Sequence, residues 1–180
     1  GLVQLAAGTS LAVDASETLG RLGGLGDVGL ATGSLLRVGT AADASFAGSV
    51  SGNGGLVKQG TGTLTLSGAG TQLGGTQVLG GVLVVAADAS LGSSTAALTL
   101  DGGSLRLTGA TRLQLPVSRG LVLGAGGGTL DVQSAAGQVD VLGAISGSGT
   151  LRKQGAGSLR LAGSSAGYGG EVDLAAGTLR

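Results

Sequence analysis

Apolar and polar residues alternate along this chain in short runs, such as TLTL at 63–66, SLRL at 104–107 and again at 158–161, and LVQL at 2–5. Alternation is the period of a β-strand, so the leucines of each run share one face and the threonine, arginine or glutamine between them takes the other. Runs of this kind predict strands at 2–5, 10–13, 18–22, 34–38, 45–50, 63–66, 82–85, 97–100, 104–107, 120–123, 129–132, 139–142, 158–161 and 172–174. Glycine-containing bends separate them at spacings of about 8 to 12 residues, a rhythm shared by sandwiches, barrels and solenoids. No stretch sustains a 3.6-residue apolar period with caps, so essentially no helix is expected. The single proline, Pro116, belongs at a corner or strand start, because it cannot donate to a central ladder.

Repetition selects among the three architectures. SGNGGLVKQGTGTLTLSG at 51–68 returns as SGSGTLRKQGAGSLRLAG at 146–163, with eleven of eighteen positions identical. Leu64 and Leu66 keep their identity as Leu159 and Leu161, while Thr65 becomes Arg160. The leucines therefore face a core, and the residue between them faces water. Units that cannot bury their apolar face alone do so by stacking, which is a solenoid. The ends match as well: GLVQLAAGT at 1–9 returns as GEVDLAAGT at 170–178, with a looser version, TQVLGGVL, at 76–83. Starting and stopping in one phase leads to the expectation that residues 1–180 are a single β-helix segment, a slice of a longer chain, with repeat copies near 44–85 and 139–180. Isolated slices are expected to stack end to end, since each exposes unpaired backbone. At about 20 residues per coil the chain makes roughly nine coils, and at ~4.8 Å per coil a rod about 40 Å long.

Composition narrows the interior. Forty-one glycines raise the question of a flexible low-complexity chain, but 42% hydrophobic residues and zero net charge oppose disorder. With one phenylalanine and one tyrosine, the core must be filled by leucine, valine and alanine, as suits a thin cross-section with tight glycine corners. Cysteine is absent, which removes disulfides, zinc–thiolate sites and thiol catalysis. No apolar run approaches the roughly 18 residues of a spanning helix.

The charges are balanced, ten basic against ten acidic, and scattered, so no field that would gather nucleic acid is expected. The densest basic patch is Arg152, Lys153 and Arg160, read as a solvated outer face in preference to a phosphate or acidic-sugar site. Lacking histidine and cysteine, the chain cannot assemble a Ser-His-Asp or Cys-His centre or a histidine metal site. Asp14, Asp27, Asp43, Asp88, Asp101, Asp131, Asp140 and Asp173 are dispersed, whereas glycosidase chemistry needs two carboxylates within roughly 5 to 10 Å. GGLGDVGLA at 23–31 places its aspartate one position early for a calcium nonapeptide, and the glycine clusters at 52–55 and 124–128 lack the Lys-Ser or Lys-Thr of a phosphate loop. Catalytic residues, cofactor and metal are therefore all expected to be none. Lys58 and Lys153 sit at inward parity from Leu56 and Leu151, where an unpartnered ammonium is costly. The expectation is that the strand ends there, with the lysine stem on the core edge and its charge in water.

The run SVSGNGGLVKQGTGTLTLSG from Ser49, followed by TQVLGGVLVV, resembles the passenger-associated repeat of bacterial autotransporters, and AISGSGTLRKQGAGSLRLAG from Ala144 resembles a second copy. ETLGRLGGLGDVGLATGSLLRVG at 17–39 is similar to the segment that often precedes such repeats. The pattern departs at Gln72 and Leu73, near where the family often carries a tyrosine before a glycine; the later copy has Tyr168 before Gly169. The resemblance implies a right-handed parallel β-helix displayed at the surface of a Gram-negative bacterium, or secreted, by way of a C-terminal outer-membrane β-barrel. It further implies a non-enzymatic stem that spaces other regions and aids secretion and folding. The alternative is an adhesive module whose outer face, carrying Thr63, Thr65, Arg152 and Arg160, contacts host glycans or neighbouring passengers. A carbohydrate-active β-helix enzyme is the third reading, and it needs converging aspartates.

Overall fold

The computed structural model describes all residues from Gly1 to Arg180, and the chain coils as a parallel β-solenoid of three faces. Face 1 stacks nine strands in chain order: Leu2–Leu5, Arg21–Gly24, Ala44–Phe46, Thr63–Leu66, Val82–Val85, Ser104–Leu107, Gly128–Val132, Leu151–Gln154 and Val172–Leu174. Face 3 stacks eight: Glu17–Leu19, Leu35–Val38, Gly55–Lys58, Thr76–Val78, Leu98–Leu100, Leu121–Leu123, Ile145–Gly147 and Gly167–Tyr168. Face 2 is split into a ladder of Ser10–Val13, Asp27–Leu30 and Val50–Gly52 and a second of Arg112–Leu115, Gln138–Val141, Ser158–Leu161 and Thr178–Leu179. The paired strands of all three faces run parallel. Parallel neighbours cannot be joined by tight hairpins, so the chain must circle back to reach each next strand.

The alternation read from the sequence sets which side chains point in. Leu64, Leu83, Leu105 and Leu130 follow one another in register on face 1 and are all buried. Leu98, Leu121 and Ile145 do the same on face 3, and Leu113, Val139 and Leu159 on face 2. Together with Phe46, which is fully buried, they belong to a single core cluster of 30 residues. Each buried leucine or valine contributes about 1.5–3 kcal/mol relative to exposure, so the column itself holds the turns together.

Glycine is obligatory where turns touch at their corners. At Gly48, between faces 1 and 2, a Cβ would lie 1.7 Å from the carbonyl oxygen of Gly26 in the turn above. Gly68 stands in the same relation to Gly48, at 2.0 Å. Pro116 opens the corner after Arg112–Leu115, where its carbonyl accepts a bond from Arg119 N at 3.0 Å, as its chemistry requires.

The rod has eight complete turns and the first two strands of a ninth, against the nine coils expected. The difference comes from turn length. Successive register partners are as close as Leu11 and Val28 but as far as Leu113 and Val139, between which the glycine corner at 124–128 adds residues. Helix is confined to one 3-10 turn, Asp88–Leu91, which fills the gap between the two ladders of face 2.

The two repeat copies fall on different faces. In the first copy LVKQ begins on face 3 and TLTL lies on face 1; in the second, LRKQ lies on face 1 and SLRL on face 2. Their separation is thus four turns and one face. The repeat encodes a strand, a corner and a strand, and any edge of the prism accepts it.

Candidate functional site

The outward column of face 1 is the longest continuous surface on the rod. From the fourth strand on, residue by residue in register, it reads Thr63, Val82, Ser104, Thr129, Arg152 and Asp173. A parallel outward column holds Thr65, Val84, Arg106, Asp131 and Gln154. Arg152 pairs with Asp173 at 2.8 Å, both largely exposed, and Arg106 Nε donates to Asp131 at 2.7 Å. Exposed pairs of the first kind are worth about 0–1 kcal/mol, so Arg152 is held lightly and is free to exchange partners.

Beside this face lies an open groove of about 250 Å³, lined mostly by glycine at the corner between faces 3 and 1, with Thr129, Thr150, Arg152 and Asp173 supplying the side chains. Its floor is backbone because Gly126, Gly127 and Gly128 follow one another there. Asp101 closes one side by accepting from Gly126 N at 2.7 Å.

Of the four residues assigned to a binding face, Thr63, Thr65 and Arg152 are brought onto face 1. Arg160 is not. It stands on face 2, outward from Ser158–Leu161, in register with Asp140. The basic patch of Arg152, Lys153 and Arg160 therefore does not form: a corner parts the two arginines, and Lys153 points inward.

Lys153 and Lys58 also correct the expectation that their charges reach water. Lys58 is 1% exposed and Lys153 is fully buried, each in the middle of an inward column. Each ammonium has partners, all of them backbone. Lys58 Nζ donates to the carbonyls of Gln59 (2.8 Å), Gly60 (3.1 Å) and Gly80 (3.0 Å). Lys153 Nζ donates to Gln154 (2.7 Å), Gly155 (2.8 Å) and Ala176 (3.1 Å). Two acceptors come from the lysine's own corner and the third from the next turn, so each lysine clips one floor to the one below. The KQG sequence that follows the strand supplies the acceptors, and it was the signal available in the repeat.

Burial lowers the pKa of both lysines from 10.5, with Asp43 opposing the shift at Lys58 and Asp131 opposing it at Lys153. A lowered native value means that the unfolded chain binds more protons than the folded one between that value and 10.5, so stability rises with pH across the interval. These are the only two lysines, and the chain has no histidine or cysteine. Denaturant midpoints are expected to climb as the pH is raised toward 10.5, and a Lys58→Met/Lys153→Met variant is expected to lose the slope.

Sequence reasoning passed over Arg119 altogether. It is fully buried in the gap of face 2, with Nε donating to Asp88 Oδ1 at 2.5 Å and Nη2 to Asp88 Oδ2 at 3.1 Å. It also donates to the carbonyls of Ala96 (2.7 Å), Gly92 (3.0 Å) and Leu91 (3.4 Å). One guanidinium thus fastens the 3-10 turn where no strand ladder runs. Tyr168 does comparable work at the tyrosine–glycine position: its hydroxyl accepts from Leu151 N at 3.1 Å and donates to Glu171 O at 2.6 Å. Leu73, in the corresponding place of the first copy, is exposed instead.

Seven of the eight aspartates are engaged, each by its own partners. Asp140 is held by Arg112 and Gln138, Asp27 accepts from Ser49 Oγ at 2.6 Å, and Asp43 accepts from Thr63 N at 2.7 Å. No three acidic residues gather into a cluster that could hold a metal ion.

A three-faced parallel solenoid with a continuous leucine core and a flat polar face defines the class of extended, stacked-repeat proteins. Residues 56–85 and 151–180 match the family described as passenger-associated-transport-repeat. The adhesin BmaC autotransporter of Brucella suis biovar 1 (strain 1330) is 38% identical over 155 residues, covering 83% of this chain and 4% of that protein. No solved structure matches the chain. The two repeats and this relative together support an autotransporter passenger that carries this repeat. The chain spans only a small fraction of the relative's length.

Proposed function

We propose that this chain is a non-enzymatic stem within a surface-displayed autotransporter adhesin, a stiff right-handed spacer that carries other regions outward and aids their secretion and folding. The observation that carries the reading is the single apolar column, unbroken through eight turns and flanked by two continuous parallel ladders. Such a rod transmits length and resists bending because each floor is bonded to the next along at least two of its three faces. The separate engagement of the aspartates described above supports a structural use of those carboxylates. A β-barrel translocator in the full-length protein and a place at the cell surface or in the medium of a Gram-negative bacterium go with this reading.

The relative's being an adhesin, together with the groove beside Arg152, favours a second reading, in which face 1 with Thr63, Thr65 and Arg152 contacts a glycan or a neighbouring passenger. One experiment separates them. In the full-length protein, residues 1–180 are replaced by a parallel solenoid of unrelated surface and equal turn number. A stem predicts unchanged surface display and unchanged cell adhesion, and deletion without replacement is expected to lower display. Adhesion lost while display persists would overturn the stem in favour of the binding module.

A further inference from the structure

The outward column of face 1 is charge-complementary to itself when reversed. Two residues extend it at its upper end: Arg21, at the head of the second strand, and Asp43, immediately before the third, whose carboxylate accepts from Thr63 N of the fourth. From the second strand to the ninth the column therefore reads Arg21, Asp43, Thr63, Val82, Ser104, Thr129, Arg152, Asp173. Turned end for end about a two-fold axis between Val82 and Ser104, it sets Arg21 against Asp173, Asp43 against Arg152, Thr63 against Thr129 and Val82 against Ser104. Both ends become opposite-charge contacts and the centre becomes small and uncharged.

We propose that face 1 is an interface for a second copy of this chain, docked face to face and antiparallel. A two-fold axis lying in the plane of the face and perpendicular to the rod brings each column onto itself, which is the self-complementary condition of a closed dimer. The neighbouring column agrees: Thr65 meets Asp131, Ser45 meets Gln154, and Val84 meets Arg106, with no like charges opposed. Shape agrees too. The exposed corner at residues 40–43 of one copy comes to the glycine-floored groove beside Arg152 of the other. Parallel docking instead lays one column on the other at the same level and sets Arg152 against Gln154, leaving the charges of Arg21 and Asp43 without opposite partners.

Eight rungs at ~4.8 Å and four residues at ~3.3 Å give about 500 Å² per copy and about 1,000 Å² per pair, at the low end of specific interfaces. The isolated pair is accordingly weak, and strength comes from many rods engaging together. Rods that project from opposed surfaces are antiparallel by geometry, so the contact joins one surface to another. This deepens the second reading of face 1 by naming its partner, and stands independently of the stem.

The test uses the 180-residue chain and follows its mass by sedimentation velocity as a function of concentration and salt. Expected is a weight-average mass that rises with concentration at low ionic strength and falls back toward monomer in 0.5 M salt. Asp43→Arg, which puts arginine against Arg152, is expected to weaken association at least tenfold, and Asp43→Arg/Arg152→Asp to recover it. Because Asp43 also bonds Thr63 N, Arg21→Asp serves as a second disruptor that breaks no ion pair within the chain, with Arg21→Asp/Asp173→Arg as its rescue. The chain has no cysteine, so mixing Thr63→Cys with Thr129→Cys chains reports direction: a disulfide between them is expected. A chain that stays monomeric at millimolar concentration in low salt overturns the proposal. So does failure of both rescues, or cross-linking of Thr63→Cys to Thr65→Cys in preference to Thr129→Cys. None of these outcomes touches display or reach, so the stem and the interface fail separately.

Discussion

Arg119→Ala is expected to cost about 3–5 kcal/mol, the range for breaking a buried ion pair by removing one partner. The guanidinium makes five hydrogen bonds, two to Asp88 and three to the carbonyls of Leu91, Gly92 and Ala96. Face 2 has no ladder at that level, and besides Arg119 the 3-10 turn is tied to its neighbours only by Gly70 N donating to Ala89 O (2.7 Å), Thr76 Oγ1 donating to Leu91 O (3.1 Å) and the burial of Leu91. Hydrogen exchange is the sharpest measurement: amides of residues 87–96 should lose protection while those of Val82–Val85, in the adjacent strand of face 1, keep theirs. Arg119→Lys should recover little, since an ammonium cannot reproduce the fork that grips both carboxylate oxygens of Asp88.

Lys58→Ala and Lys153→Ala are expected to have effects of comparable size, about 3–5 kcal/mol each, because the cavity left by the stem adds to the unpaired carbonyls. Methionine refills the volume and leaves the three acceptors empty, so Lys58→Met should fall between alanine and the native lysine. The two sites lie on different faces and several turns apart, and their effects should add. Urea unfolding of the singles and the double tests the order and the sum. If methionine proves as stable as lysine, the carbonyl contacts contribute nothing and the lysine is a mere filler.

The alternation of Leu64, Thr65 and Leu66 was legible because a period of two has one physical meaning, and repetition then excluded sandwiches and barrels. Several strands were invisible for definite reasons. Gly55–Lys58 and Leu151–Gln154 end in lysine and glutamine, which break the apolar alternation although the lysine does point inward. A charged residue reads as exposed until its acceptors are known, and those acceptors are carbonyls that no side-chain pattern displays. Arg119 was hidden for the same reason, since its partners lie at 88–96, in the preceding turn. The face assignments of Thr65 and Arg160 depended on turn lengths, which range too widely between corners for sequence alone to say on which face of the prism a repeat copy lands.

That displacement of one face has a consequence for recognition. Successive copies at the same separation would be rotated by a third of a revolution, so matching side chains wind round the shaft like the treads of a spiral stair. A ligand or antibody that grips one copy could not slide straight along to another; it would meet an equivalent foothold on the same flank only after three such steps. Sequence repetition here therefore yields azimuthal variety, and a flank suited to docking owes its character to whichever turns happen to arrive there.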